Sequence, residues 1–469
     1  MTYTDDERAI ITHNDRDGVD STVNEQEGTL TLTINYSAVV PRHPTTSSAR
    51  PDSIPGVDIL GHDVYEAALP HVALARYRSE APVAWINETP SNGHTGHGLW
   101  AITRWDDVVA VHKDWRTFSS ELGGTEIEEL EPDAIAARKT MLETDPPRHT
   151  RLRQMVNPPF SRVAVETYSA QAHALIEEVI ENAIGRADVD GVHDIARELP
   201  IRLLTGLLGV PADEAPQLFD WADQIVYHAD PDYSAAVIDR TDTDPYRLLP
   251  FRSPVTLDVF EYVERLAAAR RAVPAGDVVT LLANSEVDGV PLTERERGTF
   301  FLLLLIAGNE TTRHSLAHAL QAFAQHPDQL HRLRMQPELL DTAVEEVLRW
   351  SCPQILFRRT ATVDTTLRGT AIAAGDKVVT WYLAANYDPE VFPDPFVFDI
   401  GRTPNPHVTF GGGGPHLCLG QWMARLEVRV MLEALVANVA RVELVGTPRR
   451  VRSNFINGLK HLPVALVPR

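Results

Sequence analysis

Residues 292–326, LTERERGTFFLLLLIAGNETTRHSLAHALQAFAQH, constrain the fold more than any other stretch. Thr293 and Glu296 form a capping box directly before an apolar run, Phe300 to Ala307, and no proline interrupts the pattern before Pro327. A helix of about 30 residues is roughly 45 Å long. Its apolar run is far shorter than the roughly 20 residues that cross a bilayer. A helix this long and apolar through its middle must cross the centre of a large domain.

The flanking segments supply what packs around it. LWAITRWDDVVAVHKD reads as a strand, Leu99 to Thr103, running into a helix, and YSAQAHALIEEVIENAI is amphipathic at helical spacing. PELLDTAVEEVLRWSCP is a helix stopped by Pro353, and FRRTATVDTTLRGTAIAAGDKVVTWYLAANYDPE reads as short strands around Gly369 and Gly375. A proline-punctuated loop, DPEVFPDPFVFDIGRTPNPH, follows, and QWMARLEVRVMLEALVANV is helical again. The fold class is mainly α with a minor β region. Residues 53–469 read as one domain, and residues 1–52, rich in Asp, Glu, Thr, Ser and Pro, as a disordered acidic leader. Within it TLTLTINY alternates with the period of a strand, yet disorder is the expectation for the whole leader.

A net charge of −22 argues against a nucleic-acid partner, which needs clustered Lys and Arg. Two cysteines cannot build a disulfide framework, and MTYTDDERAI lacks the apolar region of a signal peptide. The expectation is a cytoplasmic protein without a membrane span.

One of those cysteines, Cys418, lies in FGGGGPHLCLG. Glycines permit positive φ and close approach of the backbone to another object, and inward N–H groups with a helix start just beyond favour an anion. Such a setting should lower the thiol pKa. Zinc would need further Cys or His at short spacing, and there is no C-x-x-C. A nucleophile would want an oriented base, for which His416 is adjacent, but so open a loop suits a bulky flat partner better. A phosphate loop lacks its G-K-[ST] ending. A further candidate use is as a thiolate axial ligand to haem iron.

FGGGGPHLCLG resembles the haem-binding loop of the cytochromes P-450, although Phe410 stands eight residues before Cys418 where seven is usual. That longer form resembles actinobacterial members acting on sterols, branched lipids and terpenoids. AGNETT (307–312), the E-x-x-R of Glu346 and Arg349, DPPRHTRLR (145–153) and FRRTAT resemble further family motifs in matching order. The resemblance implies a helical prism around buried haem b. Cys418 would be the axial metal ligand, and His149, Arg153, Ala307, Arg359, Phe410 and His416 would hold the cofactor. Arg151 and Arg358 are neighbours that could exchange roles with the named cations. Leu303, Ile306, Ala307, Ile355 and Leu356 would line the substrate pocket, with loops near 86–140 and 215–250. Glu346 and Arg349 would be a buried structural pair, with Arg402 in place of the usual third partner because Val397 precedes Phe398.

Each residue has a plainer reading. A mid-helix Thr usually bonds back to the i−4 carbonyl. An acid beside it after an eight-residue apolar run shifts the balance towards a proton relay. Thr311 would hold an ordered water near the reacting oxygen, and Glu310 would link that water to bulk solvent. Ala307 and Gly308 would leave a groove, with a local widening of the helix. Most E-x-x-R pairs lie on the surface and contribute little. Scattered cations are usually solvated, but two haem propionates in an apolar slot need partners. Cys352 reads as a small core residue, and His94 and His97 as part of a surface loop rather than a metal site.

The implied activity is insertion of one atom of O2 into a C–H bond of a hydrophobic lipid, sterol or terpenoid-like molecule. Electrons would come from a separate ferredoxin and NAD(P)H-dependent ferredoxin reductase, because no G-x-G-x-x-G unit opens a helix; Arg425 and Arg429 are candidate contacts. Two rivals stand beside it: a haem-thiolate peroxygenase or isomerase, and a non-enzymatic haem-binding sensor.

Overall fold

The structure, a computed structural model, describes residues 19–26, 29–36, 50–94 and 96–469. The capping box is present: Glu296 N donates to Thr293 Oγ1 at 3.2 Å and Thr293 N to Glu296 Oε2 at 2.8 Å. From it a single α-helix runs Glu294–Gln325, and Pro327 opens the next helix, Pro327–Met335. Phe301, Leu305, Leu316, Leu320 and Phe323 of the long helix are fully buried. They join one helical core with residues of Ser169–Ala183, Glu198–Leu208, Leu340–Ser351 and Gln421–Asn438.

A second core lies on a five-stranded sheet, ordered Val83–Ile86, Leu99–Ile102, Lys377–Trp381, Leu356–Ala361 and Phe118–Ser119. Only the pairing of Leu99–Ile102 with Lys377–Trp381 is parallel. The strand expected at Leu99 leads, as expected, into a helix, Trp105–Lys113. A smaller sheet pairs Val439–Leu444 with Pro463–Pro468 and that strand with Val189–Asp190.

In the leader, TLTLTINY forms the strand Thr29–Tyr36, antiparallel to Val19–Gln26, in keeping with its alternation. Residues at the end of the expected leader touch the domain. Asp52 Oδ1 accepts from the Asn87 backbone at 2.8 Å, and the Arg50 guanidinium stacks 4.8 Å from the Trp85 ring. The rest of the proposed disordered leader, residues 1–18, 27–28 and 37–49, lies outside the described residues. No helix among the described residues is long and apolar enough to cross a membrane.

Candidate active site

The glycine run explains how Cys418 is placed. Gly411, Gly413 and Gly414 have φ of +97°, +97° and +75°, a region that costs glycine little. A Cβ on Gly414 would fall 2.2 Å from the His112 carbonyl oxygen, and one on Gly412 2.9 Å from Val109 Cα. The object this backbone approaches so closely is therefore the helix Trp105–Lys113. The extra glycine is absorbed within the loop, because Cys418 N still donates to Phe410 O at 2.9 Å. The Arg425 guanidinium stacks 4.4 Å from the Phe410 ring.

Cys418 lines a cavity of about 310 Å³ between the glycine loop and the long helix. Leu303, Ile306, Ala307, Thr311, Phe410, His149, Arg153 and His416 also line it. Ala307 is open to this space, but the room left by Gly308 is taken by Leu204, whose Cδ1 would lie 3.1 Å from an added Cβ. The expected local widening does not occur; the helix is α-helical throughout. Thr311 Oγ1 donates to Ala307 O at 2.8 Å, the ordinary back-bond, while its side chain faces the cavity.

Glu310 differs from expectation. It is fully buried and reaches no solvent. Tyr227 O–H and Arg313 both donate to its Oε2, and Asn309 Nδ2 donates to Oε1 at 2.7 Å. Arg313 Nη1 also lies 3.0 Å from Asp223 Oδ1. Burial, opposed by Arg313 and reinforced by Asp223, pushes the Glu310 carboxyl up to about 8. One guanidinium faces two carboxyls, so a proton on Glu310 leaves the buried cluster neutral, the state a low dielectric favours. Tyr227, Asp223 and Arg313 were not anticipated. Arg313 was findable, because Glu310-x-x-Arg313 repeats the E-x-x-R spacing on the same chain.

The pocket residues need one correction. Ile355 is fully buried in the sheet core, and Leu356 lines a second, polar cavity. From that segment the active-site cavity receives Pro353, Gln354 and Phe357 instead. Cys352 turns the chain with φ +35°, and the strand beginning at Leu356 then alternates faces, which sends Phe357 to the cavity. Phe455 and Ile456, far away in sequence, also enter the wall, as do Leu204 and Leu207. The loops expected near 86–140 contribute Thr125, Glu126 and Leu130, and those near 215–250 contribute Val226 and Pro250.

His149 and His416 rings pack at 4.2 Å, and His149 Nδ1 is buried without a partner. Arg153 donates to Pro415 O at 3.2 Å; Arg359, 3% exposed, donates to Arg358 O and His112 Nδ1. Neither arginine has a carboxylate within salt-bridge distance among the described residues, although buried cations need one. Arg151 pairs with Asp288 at the surface, and Arg358 donates to Glu128 O, so neither takes their place. Burial pushes the Cys418 thiol up, and the N–H groups of Gly420 and Gln421 with Arg153 and Arg425 offset this only in part. The lowered thiol expected from the loop is thus not what the fold alone produces. A bound metal cation removes that proton outright. Arg153 lines the cavity and Arg359 does not; a thiol on one wall and the unpaired Arg153 fit a flat iron porphyrin that carries two carboxylates.

Behind the cysteine loop, Glu346 and Arg349 form a fully buried bidentate pair, both bonds 2.8 Å. Arg402 Nε donates to Glu346 Oε2 at 3.1 Å, so Arg402 does occupy the third place. Arg349 also donates to Asn386 O and Pro395 O, tying the proline-rich loop to the helix. Arg425 is bound by both oxygens of Glu345 and Arg429 pairs with Asp341, so each proposed docking arginine is already neutralised. Cys352 is a buried core residue. His94 is not in a loose loop: its ring packs 5.9 Å from His62.

The Cytochrome P-450 family model matches residues 275–444. A steroid C26-monooxygenase of Mycobacterium tuberculosis is 35% identical over 426 residues, covering 89% of this chain and 94% of the relative. A methyl-branched lipid omega-hydroxylase of the same organism is 38% identical over 398 residues, covering 84% and 90%. Among solved structures, a Mycobacterium marinum cytochrome P-450 in complex with pseudoionone superposes with a TM-score of 0.81 at 32% identity, covering 90% of this chain and 100% of that one.

Proposed function

This chain belongs to the cytochrome P-450 family and is a haem-thiolate monooxygenase, and from that premise we propose that it hydroxylates a steroid or methyl-branched lipid. The observation that carries this reading is the cavity above Cys418, walled by Leu204, Leu303, Ile306, Phe357, Phe455 and Ile456. Such a wall selects by apolar contact and shape. The names of the two mycobacterial relatives support the same substrate class.

Haem b, held by Cys418, would supply a redox-active iron for the reduction of O2. Arg153, Arg359, His149 and His416 would pair its carboxylates. Thr311 presents its Oγ to the cavity, with its own proton on Ala307 O, so its lone pairs are free to accept from a water. Glu310, protonated near neutral pH, is the proton reservoir one residue away. Its buried partners are Tyr227, Arg313 and Asp223, and it lines the same cavity as Thr311. Electrons would come from a ferredoxin and its NAD(P)H-dependent reductase, in the cytoplasm.

Titration of the holoprotein with a sterol and with a methyl-branched fatty acid tests the reading. At least one should give a saturable Soret shift, and turnover under isotope-labelled O2 with a surrogate ferredoxin system should place one labelled oxygen in the product. Absence of any Soret response to either class would reject the substrate assignment. Cys418→Ser should abolish the ferrous–carbonyl band from which the family takes its name; retention of that band would reject the ligand assignment.

A further inference from the structure

Away from the cavity, where Val189–Asp190 of the small sheet meets the strand Leu459–His461, Asp190, His193 and His461 converge. One ligand atom from each lies within 4.8 Å of the others. His461 Nδ1 is 2.8 Å from Asp190 Oδ2, and the His193 and His461 rings are 5.3 Å apart, inclined at 48°. None of the three lines the active-site cavity.

The backbone fixes this arrangement. Asp190 caps the π-helical segment Gly191–Ala196, and its Oδ1 accepts from Val192 N at 2.9 Å and Leu462 N at 3.2 Å. Gly191 N in turn donates to Leu462 O at 2.7 Å. Oδ1 is thus committed to the fold, and Oδ2 is aimed at the histidines. Asp194 is otherwise engaged: its Oδ2 accepts from Asp190 N at 2.8 Å and lies 3.6 Å from Arg186.

We propose that Asp190, His193 and His461 form a binding site for a divalent transition ion of the Zn2+ and Ni2+ class. Two imidazoles and one carboxylate oxygen are the donor set such ions prefer, whereas Ca2+ and Mg2+ want oxygen ligands throughout. The ion takes the position of the proton between His461 Nδ1 and Asp190 Oδ2, and that proton moves to His461 Nε2. Three protein ligands leave the remaining positions to water. The carboxylate held by two backbone N–H groups is the outer-shell support such sites use. Bound there, the ion joins Gly191–Ala196 to the strand Leu459–His461. Leu459 N already contacts His314 Nδ1 of the long helix at 3.3 Å, and the same strand follows the Phe455–Ile456 wall of the cavity.

The test uses tag-free, chelator-treated holoprotein titrated with ZnCl2 by calorimetry, and with CoCl2 by visible absorption at wavelengths clear of haem. One saturable site per chain is expected, with a raised melting temperature. His461→Ala and His461→Gln should each weaken Zn2+ binding by more than about tenfold. His461 is half exposed, so the ferrous–carbonyl spectrum of both variants should match the parent and show that folding is intact. Undetectable Zn2+ binding by the parent, or an affinity in both variants equal to the parent's, overturns the proposal.

Discussion

Arg313→Met removes the guanidinium that links Glu310 of the long helix to Asp223 of the helix Ala215–Val226. Arg313 is 2% exposed and faces Glu310, Asp223 and the Tyr227 hydroxyl. Breaking a buried ion pair from one side strands the other charge and costs about 3–5 kcal/mol. Glu310 escapes most of that cost by keeping its proton, since Tyr227 and Asn309 still donate to it. Asp223 does not escape as easily, because its carboxylate loses the contact at 3.0 Å and Oδ1 has no hydrogen-bond donor. The loss should therefore sit near the lower end of the range. Arg313→Met combined with Asp223→Leu should recover most of it. The assay is guanidinium chloride unfolding of the holoprotein, followed by Soret absorbance and tryptophan fluorescence. If the single variant lies within about 1 kcal/mol of the parent, the cluster is not held by charge compensation. If the double variant is as unstable as the single one, the loss is packing and the stranded-charge argument fails.

Thr311→Ala should leave the ferrous–carbonyl spectrum intact while product per O2 consumed falls by about tenfold or more, read by parallel oxygen-electrode and product assays. Arg402→Leu leaves the Glu346 carboxylate with Arg349 alone as its cation and should destabilise the fold by about 3 kcal/mol, with faster haem loss, measured by Soret decay on dilution into apomyoglobin. Glu345 is pushed up by burial but held down at about 2 by hydrogen bonds from His407 and Arg425. Its folded-state value is thus below its unfolded one, so this stabilisation is complete above about pH 4.5 and lost as pH falls towards 2. Glu345→Gln should flatten that limb of an acid-unfolding curve.

Local patterns carried most of the architecture. The capping box at Thr293 and Glu296, Pro327 and Pro353 located two of the principal helices, because start and stop signals act within one turn. The cavity wall was legible only where it lay on such an element. Leu303 and Ile306 followed from the helix, whereas Ile355 and Leu356 were misplaced by a turn at Cys352 that has positive φ without glycine to advertise it. Phe455 and Ile456 arrive from nearly 100 residues beyond Phe357, and no periodicity within either segment signals that meeting. The thiol followed the same rule: the loop's N–H groups could be read locally, but the opposing burial comes from the whole fold.

Two buried E-x-x-R pairs show what spacing alone conveys. Glu310 and Arg313, like Glu346 and Arg349, are three residues apart on a helix and fully or almost fully buried. Identical spacing nevertheless yields different chemistry, because the third charge differs. At Glu346 it is a second cation, Arg402, and the carboxylate also accepts from Asp399 N and Asn405, so it is saturated by donors and serves as a fixed anchor for the proline-rich loop. At Glu310 the third charge is another acid, Asp223, which competes for the same guanidinium and leaves the carboxyl able to hold a proton. A buried acid with surplus cations is structural, and one with surplus anions can exchange a proton. The surplus is set by a residue 87 positions away in one cluster and 56 away in the other, on separate elements. Only the packed fold therefore distinguishes the anchor from the reservoir.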